Sequence, residues 1–114
     1  MTEKMLGKIV NVYLGLGGYQ DNCLGIHFTF ESVKDKWGVS FTKSFWDINS
    51  IQCDAYTKWD EDDRRNAYAD IMIYISKLLK DANVKSVDKL KNIPVEVTFE
   101  NNTIKDWRIL TEVL

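Results

Sequence analysis

Few residues of this chain have the chemistry that catalysis needs, and none stands in a recognised catalytic motif. His27 is the only histidine. A histidine that acts as a base needs a nucleophile and an orienting acid close to it in space, and no motif around His27 supplies either. The alternation of its segment places His27 on the polar side of a strand, so we expect an exposed sheet histidine.

Cys23 and Cys53 are the two cysteines of the chain. Their spacing does not match a metal site, and neither has a histidine beside it. The first residues carry no apolar run of the kind found in signal peptides. We therefore expect two reduced, buried thiols in a cytoplasmic protein, with no metal or other cofactor.

A glycine-rich segment, Gly15-Leu16-Gly17-Gly18, follows the first predicted strand. A phosphate-binding loop would lead into the N-terminus of a helix, but here the next predicted element is another strand. Glycines tolerate positive φ angles. The segment therefore predicts a turn or a β-bulge.

Four consecutive acids, Asp60-Glu61-Asp62-Asp63, stand where a helix is predicted to begin. A two-metal site gathers carboxylates from separate elements so that their oxygens converge, whereas four neighbours on one turn point in different directions. Acids on a first turn are favoured by the exposed N–H groups and the helix dipole. The run predicts a helix cap, and together the candidates above predict a protein that is not an enzyme.

Three segments near the N-terminus alternate apolar and polar residues, which is typical of strands with one side on a core. A polar turn at residues 32–36 separates the second from the third. The inward positions are Val10, Val12 and Leu14 in the first strand, Leu24, Ile26, Phe28 and Phe30 in the second, and Trp37, Val39 and Phe41 in the third.

Helical spacing then predicts one long helix over about residues 60–82. A hairpin follows, in which Asn101-Asn102 is a tight turn and residues 104–113 form the last strand. The whole chain, residues 1–114, is expected to be a single α+β domain with an antiparallel sheet in the order βββ-α-ββ and the helix packed on one face. The predicted core side of the helix carries Tyr68, Ile71, Ile75, Leu78, Leu79 and Ala82, and that of the hairpin carries Val95, Val97 and Phe99.

Residues 43–59 are too apolar for an ordinary loop and too long for a simple connection, so they indicate either a binding segment or a hidden strand near residues 51–56. From Asp47 to Asp63 there are six acids and one lysine, a net charge of −5. Large aromatic anchors within a charged rim are typical of protein-binding surfaces. We therefore predict a protein-binding site with Trp46, Tyr56 and Trp59 as anchors and Asp54, Asp60, Glu61, Asp62 and Asp63 as the rim.

The overall composition limits the classes of partner. The 114 residues are 45% hydrophobic and 28% charged, with a net charge of −2. This charge is too small for a broad basic face on nucleic acid or for an acidic mimic of DNA. A local exception has five lysines and two aspartates, a net charge of +3, and could contact nucleic acid; the lysines are Lys77, Lys80, Lys85, Lys89 and Lys91.

Several phrases together resemble a set of small accessory proteins of tailed bacteriophages and prophages. The most specific are Ala82-Asn83-Val84-Lys85-Ser86-Val87 and Leu90-Lys91-Asn92-Ile93-Pro94-Val95-Glu96-Val97; weaker ones are Gly7-Lys8-Ile9-Val10, Leu24-Gly25-Ile26 and Trp37-Gly38. The resemblance carries over no catalytic residue. It implies a phage or prophage accessory protein in the cytoplasm of a bacterial host.

This context leads to a first hypothesis, a non-enzymatic protein that binds and inhibits a host protein, with a component of antiviral defence such as a CRISPR effector as the leading target. A second hypothesis is an accessory factor of phage DNA replication or recombination that uses the five lysines. A third is a small enzyme, or a protein that sequesters a small ligand, on the concave face of its sheet. No membrane association is expected, because no apolar stretch approaches the ~18 residues that span a bilayer.

Overall fold

The computed structural model describes residues 2–32, 34–47 and 58–114 of the chain. Within these ranges the chain forms five strands and one long helix, joined by short 3-10 turns. The elements are β1 (Thr2–Gly17), β2 (Cys23–Ser32), β3 (Trp37–Asp47), α1 (Glu61–Ala82), β4 (Pro94–Glu100) and β5 (Thr103–Ile109), with 3-10 turns at Tyr19–Asp21, Val87–Leu90 and Thr111–Val113.

The five strands form one antiparallel sheet in the order β3-β2-β1-β4-β5. The central strand β1 is 16 residues long. Its first half pairs with β4 and its second half with β2, and Lys8 is the residue at which the two partners overlap. A single long strand thus joins two hairpins. The predicted α+β class and the βββ-α-ββ order are confirmed.

A β-bulge interrupts β1, where the register with β2 shifts between Ile9 and Asn11. An extra residue in one strand changes which side the following residues face. Ile9 is therefore buried before the bulge, while Val12 packs against the core after it. Of the residues predicted to face inward on β1, Val12 packs against the core, but Leu14 is 53% exposed, and before the bulge the inward residue is Ile9 and not Val10.

Capping residues define both ends of the helix α1. Asp60 accepts a hydrogen bond from the Asp63 N–H, and Asp63 accepts one from the Asp60 N–H, so the two form a capping box. At the other end Asn83 adopts the left-handed conformation that ends many helices. Among the described residues, no helix combines the length and the hydropathy that crossing a membrane requires.

The core lies between α1 and one face of the sheet. Trp107 on β5 reaches across to β2, where its ring centroid is 4.8 Å from those of Phe28 and Phe30. The centroid of Phe41 on β3 is 6.5 Å away. The buried side chains of α1 are Ile71, Ile75, Leu78 and Ala82, and the sheet and the turn before β4 contribute Ile9, Ile26, Leu90, Val95, Val97 and Ile109.

Two predicted boundaries are wrong. Strand β3 continues to Asp47, so residues 43–47 belong to the sheet and not to a connecting segment. The last strand ends at Ile109, and Thr111–Val113 forms a 3-10 turn instead. The Asn101-Asn102 turn is confirmed, with φ angles of 54° and 66°. The predicted strand at residues 51–56 lies outside the described residues.

Candidate functional site

His27 is buried, with an exposed fraction of 5%, so the prediction of an exposed histidine is wrong. Its Nε2 lies 2.9 Å from the Gly15 carbonyl oxygen and 3.1 Å from that of Cys23. Its Nδ1 lies 2.9 Å from Thr42 Oγ1. Because carbonyl oxygens only accept hydrogen bonds, Nε2 carries a proton and donates it. The ring thereby ties β1, β2 and β3 together.

A tyrosine and two glycines cover His27. The Tyr13 ring lies over the imidazole, with 4.9 Å between the ring centroids. A Cβ atom at Gly17 would stand 2.3 Å from Tyr13 Oη and 2.9 Å from two carbons of the His27 ring. Gly15 and Gly17 are strand residues that leave room for these rings, and only Gly18 in this segment has a positive φ, of 72°. Of the four residues in this segment, only Gly18 lies beyond the end of β1 and contributes to the turn.

The His27 site can do little chemistry by itself. Thr42 is the hydroxyl beside the imidazole, but the other ring nitrogen is held by backbone carbonyls and not by a carboxylate. Burial of the ring also leaves little access for a substrate. No group of three or more His, Cys, Asp or Glu side chains within the described ranges could hold a metal ion. The absence of enzymatic activity and of a cofactor stays a prediction.

We expect Gly17→Ala to lower the free energy of unfolding by about 1–3 kcal/mol, because the added methyl group would collide with Tyr13 and His27. Urea denaturation measures the change. Gly38→Ala is the matched control in β3, since its nearest neighbour would be Glu31 Cγ at an ordinary 3.5 Å. Equal stabilities of the two variants would show that the Tyr13 and His27 rings are not held against Gly17.

The predicted acidic rim lies mostly in local contacts at the start of α1. Asp60 and Asp63 are occupied by the capping box, and Glu61 forms an ion pair with Arg64. The Arg64 guanidinium also lies 5.9 Å from the centroid of the Trp59 ring. Asp62, whose side chain is 84% exposed, lies 3.9 Å from Arg65 in a second ion pair. Because Arg64 pairs with Glu61, the net negative charge at the start of α1 is smaller than the four acids alone would give.

The remaining members of the predicted site are placed only in part. Trp46 is a β3 residue whose backbone pairs with Leu24 of β2. Asp54 and Tyr56 lie outside the described residues. The structure therefore brings Trp59 together with the capped start of α1, and the wider protein-binding site of residues 46–63 stays a prediction.

A second surface, which the sequence analysis did not single out, lies on α1 itself. Met72 and Ile73 are 61% and 66% exposed, and Tyr68, which was predicted to face the core, is 39% exposed. Ala69 is exposed as well. Tyr68 with Met72 and Ala69 with Ile73 are pairs four residues apart, so the four side chains are neighbours on the helix surface. We call them the α1 stripe. In the sequence, this surface could have been recognised from Met72 and Ile73, two bulky apolar residues on the otherwise polar side of the predicted helix.

The five lysines of the basic region all lie on the surface. Asp81 and Asp88 stand between them in the chain. The hydrogen bond from the Ser86 hydroxyl holds the pKa of Asp88 below its usual value, so this carboxylate stays charged and offsets part of the basic charge. A contact with nucleic acid through Lys77, Lys80, Lys85, Lys89 and Lys91 stays a prediction.

Comparisons of the chain with protein-family models, with curated proteins and with solved structures find no match. The resemblance to accessory proteins of phages and prophages therefore stays a prediction. The surfaces that the fold presents are therefore the basis for a proposed function.

Proposed function

We propose that this protein acts without catalysis, by binding a partner protein on the α1 stripe. One observation carries the proposal: Met72 and Ile73 are mostly exposed on the solvent side of a helix whose opposite side already packs on the core. Surface apolar residues are ordinary when they are scattered, but a contiguous group points to an interaction site.

The composition of the stripe suits a protein contact. Tyrosine and methionine are enriched in the centres of interfaces, and methionine adapts its shape to the surface that it meets. Fully burying a side chain of the size of methionine or isoleucine stabilises a complex by about 1.5–3 kcal/mol. A partner that covers Met72 and Ile73 would therefore gain a substantial part of its affinity from two residues.

Charged side chains surround the stripe as the rim of an interface would. Arg65 is 77% exposed and lies about two turns before Met72, and Asp62 is 84% exposed and lies nearly three turns before it. Asp70 and Lys77 are exposed beside the stripe. The helical rise of 1.5 Å per residue places Asp62 roughly 15 Å along the axis from Met72. A partner of ordinary interface size could thus cover both the stripe and the start of α1 near Trp59.

The identity of the partner is proposed from the sequence resemblance alone. A phage or prophage accessory protein would meet the proteins of its bacterial host, and a component of antiviral defence remains the proposed target. The binding surface is proposed independently of the partner's identity, so it can be tested before the partner is known.

Replacing both Met72 and Ile73 by lysine should weaken the complex with the partner by at least about 30-fold, because the loss of a single interface anchor already costs ≥ 2 kcal/mol. A photo-crosslinking residue at position 72 in the native host should trap one protein, which is then purified for the affinity measurement. The same crosslinker at Lys4, an exposed position on β1, is the matched control. Trp59→Ala and Asp62→Lys report whether the contact extends to the start of α1.

The two lysines should leave the stability within about 0.5 kcal/mol of the original, as surface changes usually do. An unchanged affinity of Met72→Lys/Ile73→Lys would contradict the proposal. So would equal crosslinking from positions 72 and 4. Light scattering adds a further check: a wild-type dimer that the double variant converts to a monomer would identify the stripe as a self-association surface instead.

A further inference from the structure

A cavity of about 530 Å³ opens at the end of the core where β1 begins. Its lining comes from distant parts of the chain, namely the first residues of β1, the turn before β3, the start of β3 and the end of β4. The lining residues that matter here are Glu3, Met5, Asp35, Trp37, Val39 and Phe99. A volume of this size suits a small molecule or a single side chain with its backbone.

Two aromatic rings form a corner of this cavity. The rings of Trp37 and Phe99 have centroids 5.3 Å apart and planes at 79° to each other. The Trp37 ring extends over β1, where a Cβ atom at Gly7 would stand only 2.7 Å from Trp37 Cη2. Gly7 therefore allows the indole to lie across the strand and meet Phe99. Aromatic faces that meet at a corner attract cations through the negative potential of the ring faces.

The polar groups of the cavity have no partner in the described part of the chain. Glu3 and Asp35 are carboxylates, and neither forms a salt bridge there. Lys34 and Lys36 flank Asp35 in the turn without pairing with it. Trp37 Nε1 is buried and, among the described residues, has no hydrogen-bond acceptor. Because this nitrogen has almost no accessible surface, a molecule in the cavity would meet other atoms of the Trp37 ring and not the N–H.

We propose that this cavity binds an arginine side chain of another polypeptide. A guanidinium can lie on aromatic faces and donate to carboxylates at the same time, which suits the Trp37–Phe99 corner beside Glu3 and Asp35. Because a guanidinium is the end of an arginine side chain, the ligand class is a short peptide segment that contains arginine. This site is separate from the α1 stripe and does not depend on it.

The probe is the tripeptide acetyl-Gly-Arg-Gly-amide, titrated into the isotope-labelled protein while the indole N–H signal of Trp37 is followed by NMR. Binding should move this signal, because a guanidinium on the face of the indole changes the magnetic environment of its N–H. The same peptide with citrulline in place of arginine is nearly the same shape but uncharged. It should bind at least about tenfold more weakly, since it has lost its charge-assisted contacts.

Variants of the protein separate the contributions. Glu3→Gln and Asp35→Asn should each weaken binding of the arginine peptide by about three- to tenfold, because the amide oxygen still accepts a hydrogen bond but without the added strength of an ionised acceptor. Asp70→Asn removes the same charge at an exposed position on α1 and should leave the affinity unchanged. Trp37→Phe keeps an aromatic wall with a smaller face and should weaken binding while the fold is retained; the backbone amide signals of the protein report binding in this variant.

Three results would overturn the proposal. The first is a Trp37 signal that does not move with the arginine peptide up to about 10 mM, the weakest affinity that a specific side-chain site should have. The second is equal affinity for the citrulline peptide. The third is a loss with Asp70→Asn as large as the loss with Glu3→Gln, which would show a general effect of charge.

Discussion

Trp107→Ala is expected to lower the free energy of unfolding by about 3–5 kcal/mol, the usual cost of truncating a buried tryptophan. The indole is 8% exposed and connects β5 with the rings of Phe28 and Phe30 on β2. Its removal would leave a large void between an edge strand and the centre of the core. Urea denaturation followed by circular dichroism measures the change.

A pair of smaller changes tests whether volume or hydrogen bonding dominates at Trp107. Tyr74 and Trp107 line the same cavity, and burial raises the pKa of Tyr74 to about 12, so the phenol is neutral near pH 7. Tyr74→Phe removes only the hydroxyl, and a polar contact between neutral groups contributes about 0.5–1.5 kcal/mol. Trp107→Phe should fall between Tyr74→Phe and Trp107→Ala. If Trp107→Ala lowered the free energy of unfolding by no more than Tyr74→Phe, this would contradict the packing of the indole in the core.

Leu78→Ala should cost about 2–5 kcal/mol, the range for a large-to-small change in a core. Leu78 is 8% exposed and stands between Ile75 and Ala82 on the buried side of α1. Its loss would weaken the contact of the helix with the sheet, and the same denaturation experiment measures it.

Lys77→Ala is the matched control for Leu78→Ala, because Lys77 is the neighbouring residue on the exposed side of α1. It should change stability by less than about 0.5 kcal/mol. A loss of under half a kcal/mol for Leu78→Ala as well would mean that α1 does not pack on the sheet at this position.

Much of the fold could be predicted from local patterns. Alternation along Ile26, Phe28 and Phe30 identifies a strand, because the side chains of a strand point to opposite faces in turn. The helical spacing of Ile71, Ile75 and Leu78 identifies α1 for the same kind of reason. The Asn101-Asn102 turn was also predictable, since asparagine tolerates the positive φ angles that tight hairpins need. Each of these signals is contained in a few consecutive residues.

The candidate sites were predicted less well, because their properties depend on residues that are distant in the chain. Trp59 and the acids at the start of α1 were recognisable by type, yet Arg64 pairs with one acid and lies over the indole. The exposure of Met72 and Ile73 depends on which side of α1 the sheet occupies. The corner between Trp37 and Phe99 joins residues 62 positions apart, and no local pattern reports such a contact.

The elements of this protein, their order and the start of its helix follow from local patterns in the chain, because hydrophobic periodicity and capping are properties of neighbouring residues. Which residues are buried depends on packing between distant parts of the chain. The bulge after Ile9 changed which residues of β1 face the core. His27 became buried because the side of the sheet on which it lies is covered by Tyr13 from the adjacent strand. Burial is set by whatever packs against a residue, and that partner is often far away in the chain.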